Sequence, residues 1–344
     1  MVRSIWLVRL FCAALIALAP PAIAQQSFRD DAGRAVVLSA AIATVWPAGP
    51  PAAVLIDVLA PRKLMGWIHA PDPAALAFLP QADAALPALG RITGRSPTVD
   101  AAVLRRAAPD LILDVGTIDP GYVALADRMA AQTEIPYALM DGRLADSPAT
   151  LRRVGRMLGV AGRAETLARY AEAVLGRVKR RIAAIPAAQR PTIYMTRGPR
   201  GLQAAVAGSI NAEIVDLLGA RNIVAASSSG NFAALSLDRL RVLQPDVIVT
   251  IDPDFYAAAL HDPAWQTLAA VAAHRLYLAP GAPFGWVDEP PSVNRLIGLL
   301  WLAQKLYPAQ FPEDMRSEAA RFYKLFYQRT PSGAQLDALL GAQS

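Results

Sequence analysis

The chain has 344 residues, 54% of them hydrophobic and 18% charged, with a formal net charge of +6. That length accommodates two domains of ordinary size, and 22 Gly with 28 Pro stay well short of the roughly 25–30% that marks a disordered chain. The one cysteine is Cys12, so residues beyond it offer no disulfide, no Cys-ligated zinc, no iron–sulfur cluster and no thiol nucleophile.

Arg3 and Arg9 precede an apolar stretch over residues 10–19, and Ala22-Ile23-Ala24 supplies a small-x-small cleavage pattern before Gln25. This predicts a cleaved signal peptide over residues 1–24 and export to the periplasm. The apolar run is shorter than the about 20 residues a membrane-spanning helix needs. A lipoprotein signal would place Cys at the cleavage point; Cys12 instead follows Phe11, three residues past Arg9. A lipid anchor is therefore not expected. Without Arg3 and Arg9, 32 basic residues stand against 28 acidic ones. They are spread along the chain with no basic cluster interleaved with aromatics, which argues against nucleic acid as a partner.

The second half of the chain rewrites the first. Ala108-Pro109-Asp110-Leu111-Ile112-Leu113-Asp114 returns as Gln244-Pro245-Asp246-Val247-Ile248-Val249-Thr250. Around each copy the same order is predicted: an opening strand (43–46; 192–195), a second (64–68; 222–225), the Pro-Asp strand, and a fourth (136–140; 275–278). These are continuous apolar runs, as in parallel sheets covered on both faces. Between the halves, Leu167, Tyr170, Val174, Val178, Ile182 and Ile185 recur at helical spacing. A helix over 164–185, about 33 Å long and ended by Pro186, would join one lobe to the other. Residues 296–306 are apolar but interrupted by Gln304 and Lys305, which predicts a packed helix. The expected organisation is a signal peptide (1–24), an N-terminal α/β lobe (25–162), a connecting helix (163–186) and a C-terminal α/β lobe (187–344), with a cleft between two Rossmann-like lobes.

This order resembles the iron-complex and vitamin B12 class of periplasmic substrate-binding proteins, which deliver ligands to ABC importers. The residues that carry the resemblance run in order. They are the opening 28–38 segment, Leu89-Gly90-Arg91, the two Pro-Asp strands, Leu217-Leu218-Gly219-Ala220-Arg221-Asn222-Ile223 and Ser236-Leu237-Asp238. It covers nearly the whole chain beyond the signal. A second set comprises Pro47-Ala48-Gly49-Pro50-Pro51, Pro283-Phe284-Gly285-Trp286, Pro290-Pro291-Ser292-Val293-Asn294-Arg295, Gly298 and Trp301-Leu302-Ala303. It is similar to a branch holding molybdate and tungstate binders beside iron-complex binders. The resemblance implies a class III periplasmic-binding-protein fold, a monomer, and docking on an ABC permease dimer through one acidic residue on top of each lobe. In this sequence those positions fall on Asp238 and, by a departure that puts Ala102 at the matching spacing, on Asp100.

In open parallel α/β sheets a ligand sits beyond the carboxyl ends of the strands. That rule selects loops carrying Trp46, Trp67, His69, Arg143, Arg197 and Trp286, with Arg95 in a neighbouring loop. Arginine forks beside aromatic walls suit an anionic ligand. The expected ligand is an anionic metal complex such as a ferric siderophore, or alternatively a molybdate or tungstate oxyanion. Three histidines, His69, His261 and His274, are too few and too scattered for a protein-held metal site, and no cofactor is expected. An enzyme is not expected either. Gly208-Ser209-Ile210-Asn211 is not a nucleophile elbow, and no P-loop or HExxH occurs. The near-adjacent acids Asp252/Asp254 and Asp288/Glu289 leave a secreted hydrolase, or a ligand sensor of the same fold, as remote alternatives.

Overall fold

A computed structural model describes residues 25–94, 96–226 and 230–341. The expected signal segment and Arg95 lie outside the described residues. Eleven strands are described: β1 (Gln25–Arg29), β2 (Ala35–Ser39), β3 (Val45–Pro47), β4 (Leu111–Gly116), β5 (Tyr137–Asp141), β6 (Thr192–Arg197), β7 (Gln203–Ala205), β8 (Arg221–Asn222), β9 (Phe232–Ala234), β10 (Val247–Thr250) and β11 (Leu276–Leu278). The first-lobe sheet is parallel, in the order β3-β4-β5. The second-lobe sheet runs β11-β10-β6-β7-β9, with β8 also pairing β6. Its β6, β8, β10 and β11 are parallel, while β7 and β9 add an antiparallel edge. β1 and β2 form a separate hairpin.

The internal repeat extends to hydrogen bonds. Each Pro-Asp strand follows a seven-residue helix, Ala101–Ala107 or Leu237–Leu243, whose C-cap, Ala108 or Gln244, is left-handed. The capping N–H returns to Leu104 O or Leu240 O. Asp110 Oδ2 then accepts from the N–H and the hydroxyl of Thr44, and Asp246 Oδ2 does the same with Thr192. Each aspartate thus fixes the start of the neighbouring strand. Hydrogen bonds hold both carboxyls below the ordinary carboxylate range: those from Thr192 lead at Asp246, while at Asp110 they outweigh an opposing effect of partial burial.

The expected second strands are much reduced. Leu64 makes a single bridge to Val45, and the chain then pairs with 87–89 through Trp67 N–H to Pro87 O and Leu89 N–H to Trp67 O. Leu64, Trp67 and Ile68 are nonetheless buried. A short apolar run signals burial without specifying a strand. In the second half β8 stops at Asn222, whose side chain accepts from Val224 N–H and donates to Ala205 O, turning the chain.

The connecting helix is Ala161–Ala183, within a few residues of the expected span. Its apolar stripe joins a hydrophobic core that runs from Val36 to Leu339. The helices Arg295–Leu306, Met315–Phe326 and Gly333–Leu340 belong to that same core. They reach back to the first half of the chain: Phe78 packs on Tyr323 with ring centroids 5.2 Å apart, and Arg163 donates to both Val58 O and Phe326 O. Gly298 allows the first of these helices to lie on the Trp286 backbone, since a Cβ there would fall 1.8 Å from Trp286 O.

Candidate functional site

A cavity of about 590 Å³ opens between the two sheets. It lies at the carboxyl ends of their parallel strands, where such folds bind ligands. Its first-lobe wall comprises the start of the helix Pro50–Leu59, residues Trp67–Asp72, Arg91, Thr93, the end of β4 from Asp114, and Tyr122. The facing wall comprises Arg197 at the end of β6, Ile210 and Asn211, Phe232, and the loop residues Pro283, Phe284 and Asp288–Pro291. Trp67 and Phe284 meet across the divide at 5.3 Å between ring centroids.

Two guanidinium groups face this space. Arg91 Nη2 lies 2.9 Å from His69 Nε2. Because a guanidinium only donates, His69 accepts on Nε2 and carries its proton on Nδ1. Arg197 lies over the Phe232 ring at 4.5 Å, 3.5 Å from Asp288 Oδ2 and 3.1 Å from Glu289 Oε2. Asp288 is buried and also accepts from Asn211 Nδ2 at 2.7 Å. Burial raises its pKa although Arg197 and Asn211 pull the other way.

The first-lobe wall has its own acid. Asp114 is buried at the end of the central strand, with Tyr137 Oη donating to it at 3.2 Å and Thr93 Oγ1 at 3.5 Å. Burial raises its pKa to about 6, and these hydrogen bonds offset only part of the shift. The helix Pro50–Leu59 begins at the same wall with Gly49 as N-cap and no side-chain cap, so the positive end of its dipole faces the cavity. The lining is therefore mixed in sign rather than uniformly basic.

Of the residues singled out from sequence, Trp67, His69 and Arg197 line this cavity. Trp67 does so while its indole donates to Asp83 O at 2.7 Å. Trp46 and Trp286 do not line it, and both rings are buried in cores. Trp286 donates to Tyr323 Oη at 3.1 Å, and Trp46 Nε1 has no hydrogen-bond partner among the described residues. A tryptophan at a strand end looks the same in sequence whether its ring turns to the cleft or to the core. Arg143 is exposed, held by Asp141 at 2.7 Å and Asp146 at 3.5 Å, and does not line the cavity. His261 and His274 are exposed. Among the described residues no three His, Cys, Asp or Glu side chains gather as metal ligands.

Sequence reasoning missed Arg91, Asp114 and Asn211 as cavity residues. Arg91 and Asp114 stood inside quoted motifs, and the end of a Pro-Asp strand was the available signal for Asp114. The pair Asp288/Glu289, weighed as a hydrolase dyad, instead holds Arg197. Asp252 caps the helix Pro253–Ala259 by accepting from Phe255 N–H.

Residues 79–283 match the periplasmic binding protein family. The chain is a member of that family. A search of curated protein sequences finds no match. An ABC transporter solute binding protein from Sulfurospirillum deleyianum is 27% identical. It matches over 92% of this chain and 99% of its own, with a TM-score of 0.85. The molybdate periplasmic binding protein MolA of Haemophilus influenzae shares the fold at 18% identity, with a TM-score of 0.72, over 89% of this chain and 99% of its own. CeuE of Helicobacter pylori, in a Ni-His complex, does so at 14% identity with a TM-score of 0.70, over 92% and 99%. This periplasmic binding protein thus has the two-lobed α/β fold of the solute-binding proteins it is similar to. No helix among its described residues is long and apolar enough to cross a membrane.

The two expected docking acids occupy non-equivalent places. Asp100 is the N-cap of the helix Ala101–Ala107, accepting from Val103 N–H at 2.9 Å. Its counterpart in the second lobe is the N-cap Ser236. Asp238, 87% exposed and 2.8 Å from Arg241, has Ala102 as its counterpart.

Proposed function

We propose that the protein is exported by cleavage of residues 1–24, captures an iron complex in the periplasm and delivers it to an ABC importer. The ligand in this reading is a ferric siderophore or a similar anionic chelate of organic size. The observation that carries it is the cavity: about 590 Å³ lies in the usual range for organic ligands, and a single tetrahedral oxyanion would fill a small part of it. Arg91, Arg197 and the open start of the helix Pro50–Leu59 suit negative charge. Asp114 suits a ligand that also carries hydrogen-bond donors. A metal arriving inside its own chelator needs no protein ligand set. The iron assignment itself comes from the resemblance.

A molybdate-type oxyanion is the second reading. It is favoured by the helix start and Arg91, and by the fold shared with MolA. Calorimetric titration with a ferric tri-hydroxamate, a ferric tri-catecholate and sodium molybdate separates the two readings, with elemental analysis of protein isolated from its own periplasm. Iron in the isolated protein and tight binding of a ferric chelate are expected. Tight binding of molybdate alone would replace the iron reading with the oxyanion one.

Docking on the permease is proposed through Asp238, with Asp100 as the nearest carboxylate on the other lobe.

A further inference from the structure

The segment Pro290-Pro291-Ser292-Val293-Asn294-Arg295 ends in a side chain that the cavity does not use. Arg295, the first residue of its helix, is 1% exposed. Its guanidinium donates to Gly142 O at 2.7 Å, Ile210 O at 2.8 Å, the Glu213 carboxylate at 3.0 Å and Ser292 O at 3.3 Å. Glu213 in turn accepts from the backbone N–H groups of Leu144 and Ala145 at 2.7 and 3.0 Å. Gly142, Leu144 and Ala145 follow β5 in the first lobe, while Ile210, Glu213 and Arg295 come from the second half of the chain. Three direct bonds therefore tie the two walls.

The tie lies at one edge of the cavity. Ile210 and Asn211 just before Glu213, Pro290 and Pro291 just before Arg295, and Met140 just before Gly142 all line it. The walls also touch there: a Cβ on Gly142 would fall 3.0 Å from Ile210 Cδ1 of the other lobe. Parting the lobes at this edge would leave a buried guanidinium and a carboxylate short of partners, and a buried ion that loses its partner is strongly destabilising. The planar fork of arginine matters too, since it serves several acceptors at once where the compact ammonium of lysine cannot.

We propose that Arg295 and Glu213 are positioning residues for ligand capture. They form a clamp that fixes the spacing of the cavity walls along this edge, so that movement on binding is a rocking about the clamp rather than a wide opening. The functional meaning rests on the cavity being the ligand site, but the lobe spacing does not.

Pulsed electron paramagnetic resonance reads that spacing without any ligand. Spin labels at Ala124→Cys on the first lobe and Val242→Cys on the second, both exposed, are placed in a Cys12→Ser chain. The parent should give one narrow distance distribution, and Glu213→Gln and Arg295→Lys should each broaden it or add a longer distance. Variants that are folded by circular dichroism and superpose on the parent distribution overturn the clamp, even if their melting temperature falls. Hydrogen exchange in the unmutated protein gives a second reading if the variants do not fold. The Leu144 and Ala145 amides should exchange as slowly as those of β4; exchange orders of magnitude faster would overturn the clamp. Failure of the cavity reading shows up separately, in the titrations with ferric chelates and molybdate, and leaves this distance unaffected.

Discussion

Arg197 donates toward Asp288 and Glu289 while lying over Phe232, so the anionic ligand proposed above would have to compete with two carboxylates for it. Replacing Arg197 with Ala should weaken ligand binding at least tenfold, about 1.4 kcal/mol, by calorimetry. The apo protein should melt lower at pH 7.5 because buried Asp288 loses its cation. That deficit should shrink at pH 5, since Asp288 already has a raised pKa and protonates more readily without Arg197. An equal deficit at both pH values would mean that Asp288 is not the group responding. Asp114 gives a second test. Its pKa rises from an ordinary 3.8 to about 6, so the folded state binds the extra proton between those values. Stability from this group is present below about pH 4 and is lost as pH rises to about 6. The lost contribution is about 3 kcal/mol at roughly 1.4 kcal/mol per pH unit. The Asp114→Asn variant should lack this decline in a series of melting curves from pH 4 to 7; a parallel decline in variant and parent would contradict it.

At the scale of elements, the two Pro-Asp strands show local chemistry repeating with the sequence. Both preceding helices end on a non-glycine residue with positive φ, Ala108 at 45° and Gln244 at 40°. Left-handed backbone costs an L residue about 1–2 kcal/mol, and glycine escapes much of it. Ala108→Gly should therefore stabilise the protein by about 1 kcal/mol in urea unfolding, less the extra chain entropy of glycine. Destabilisation would mean that the Ala108 methyl packs more than it strains. The repeat was legible because proline, aspartate and the apolar run that follows all act within a few residues of each other. The second strands were misjudged because apolar runs such as 64–68 announce burial, whereas the pairing of Trp67 with 87–89 depends on where a distant segment passes.

For the whole molecule, the connecting helix is only one of the links between the halves. The three C-terminal helices share its core, and Arg163, Phe78 and Trp67 make contacts across the divide. Any change on ligand binding works against this continuous core, and the ligand shifts the lobes only by as much as it prefers one arrangement over the other. The proposed docking on a permease belongs at this scale as well. Asp238 projects from the second lobe, while the first lobe has Ala102 in the matching place. Asp238→Arg should abolish uptake of the ligand by cells while binding to the purified protein stays normal. Undiminished uptake would place the contact elsewhere.

The sequence by itself determined the α/β class, the repeat, the helix between the halves and the resemblance to periplasmic binding proteins. These depend on periodicity, on caps and turns acting within a few residues, and on motifs in fixed order. It also pointed to Trp67, His69 and Arg197 as cavity residues, because the loops after parallel strands meet at one end of such a fold. Tertiary structure alone decided that Trp46 and Trp286 turn into cores, that Arg143 pairs with its own neighbours, and that Asp114 and Arg91 face the cavity. It also decided that Arg295 and Glu213 tie residues on opposite walls, Arg295 reaching Gly142 at a separation of 153 positions. A side chain's direction and partner are settled by what other segments bring within about 3 Å of it, and no local pattern in the chain encodes that.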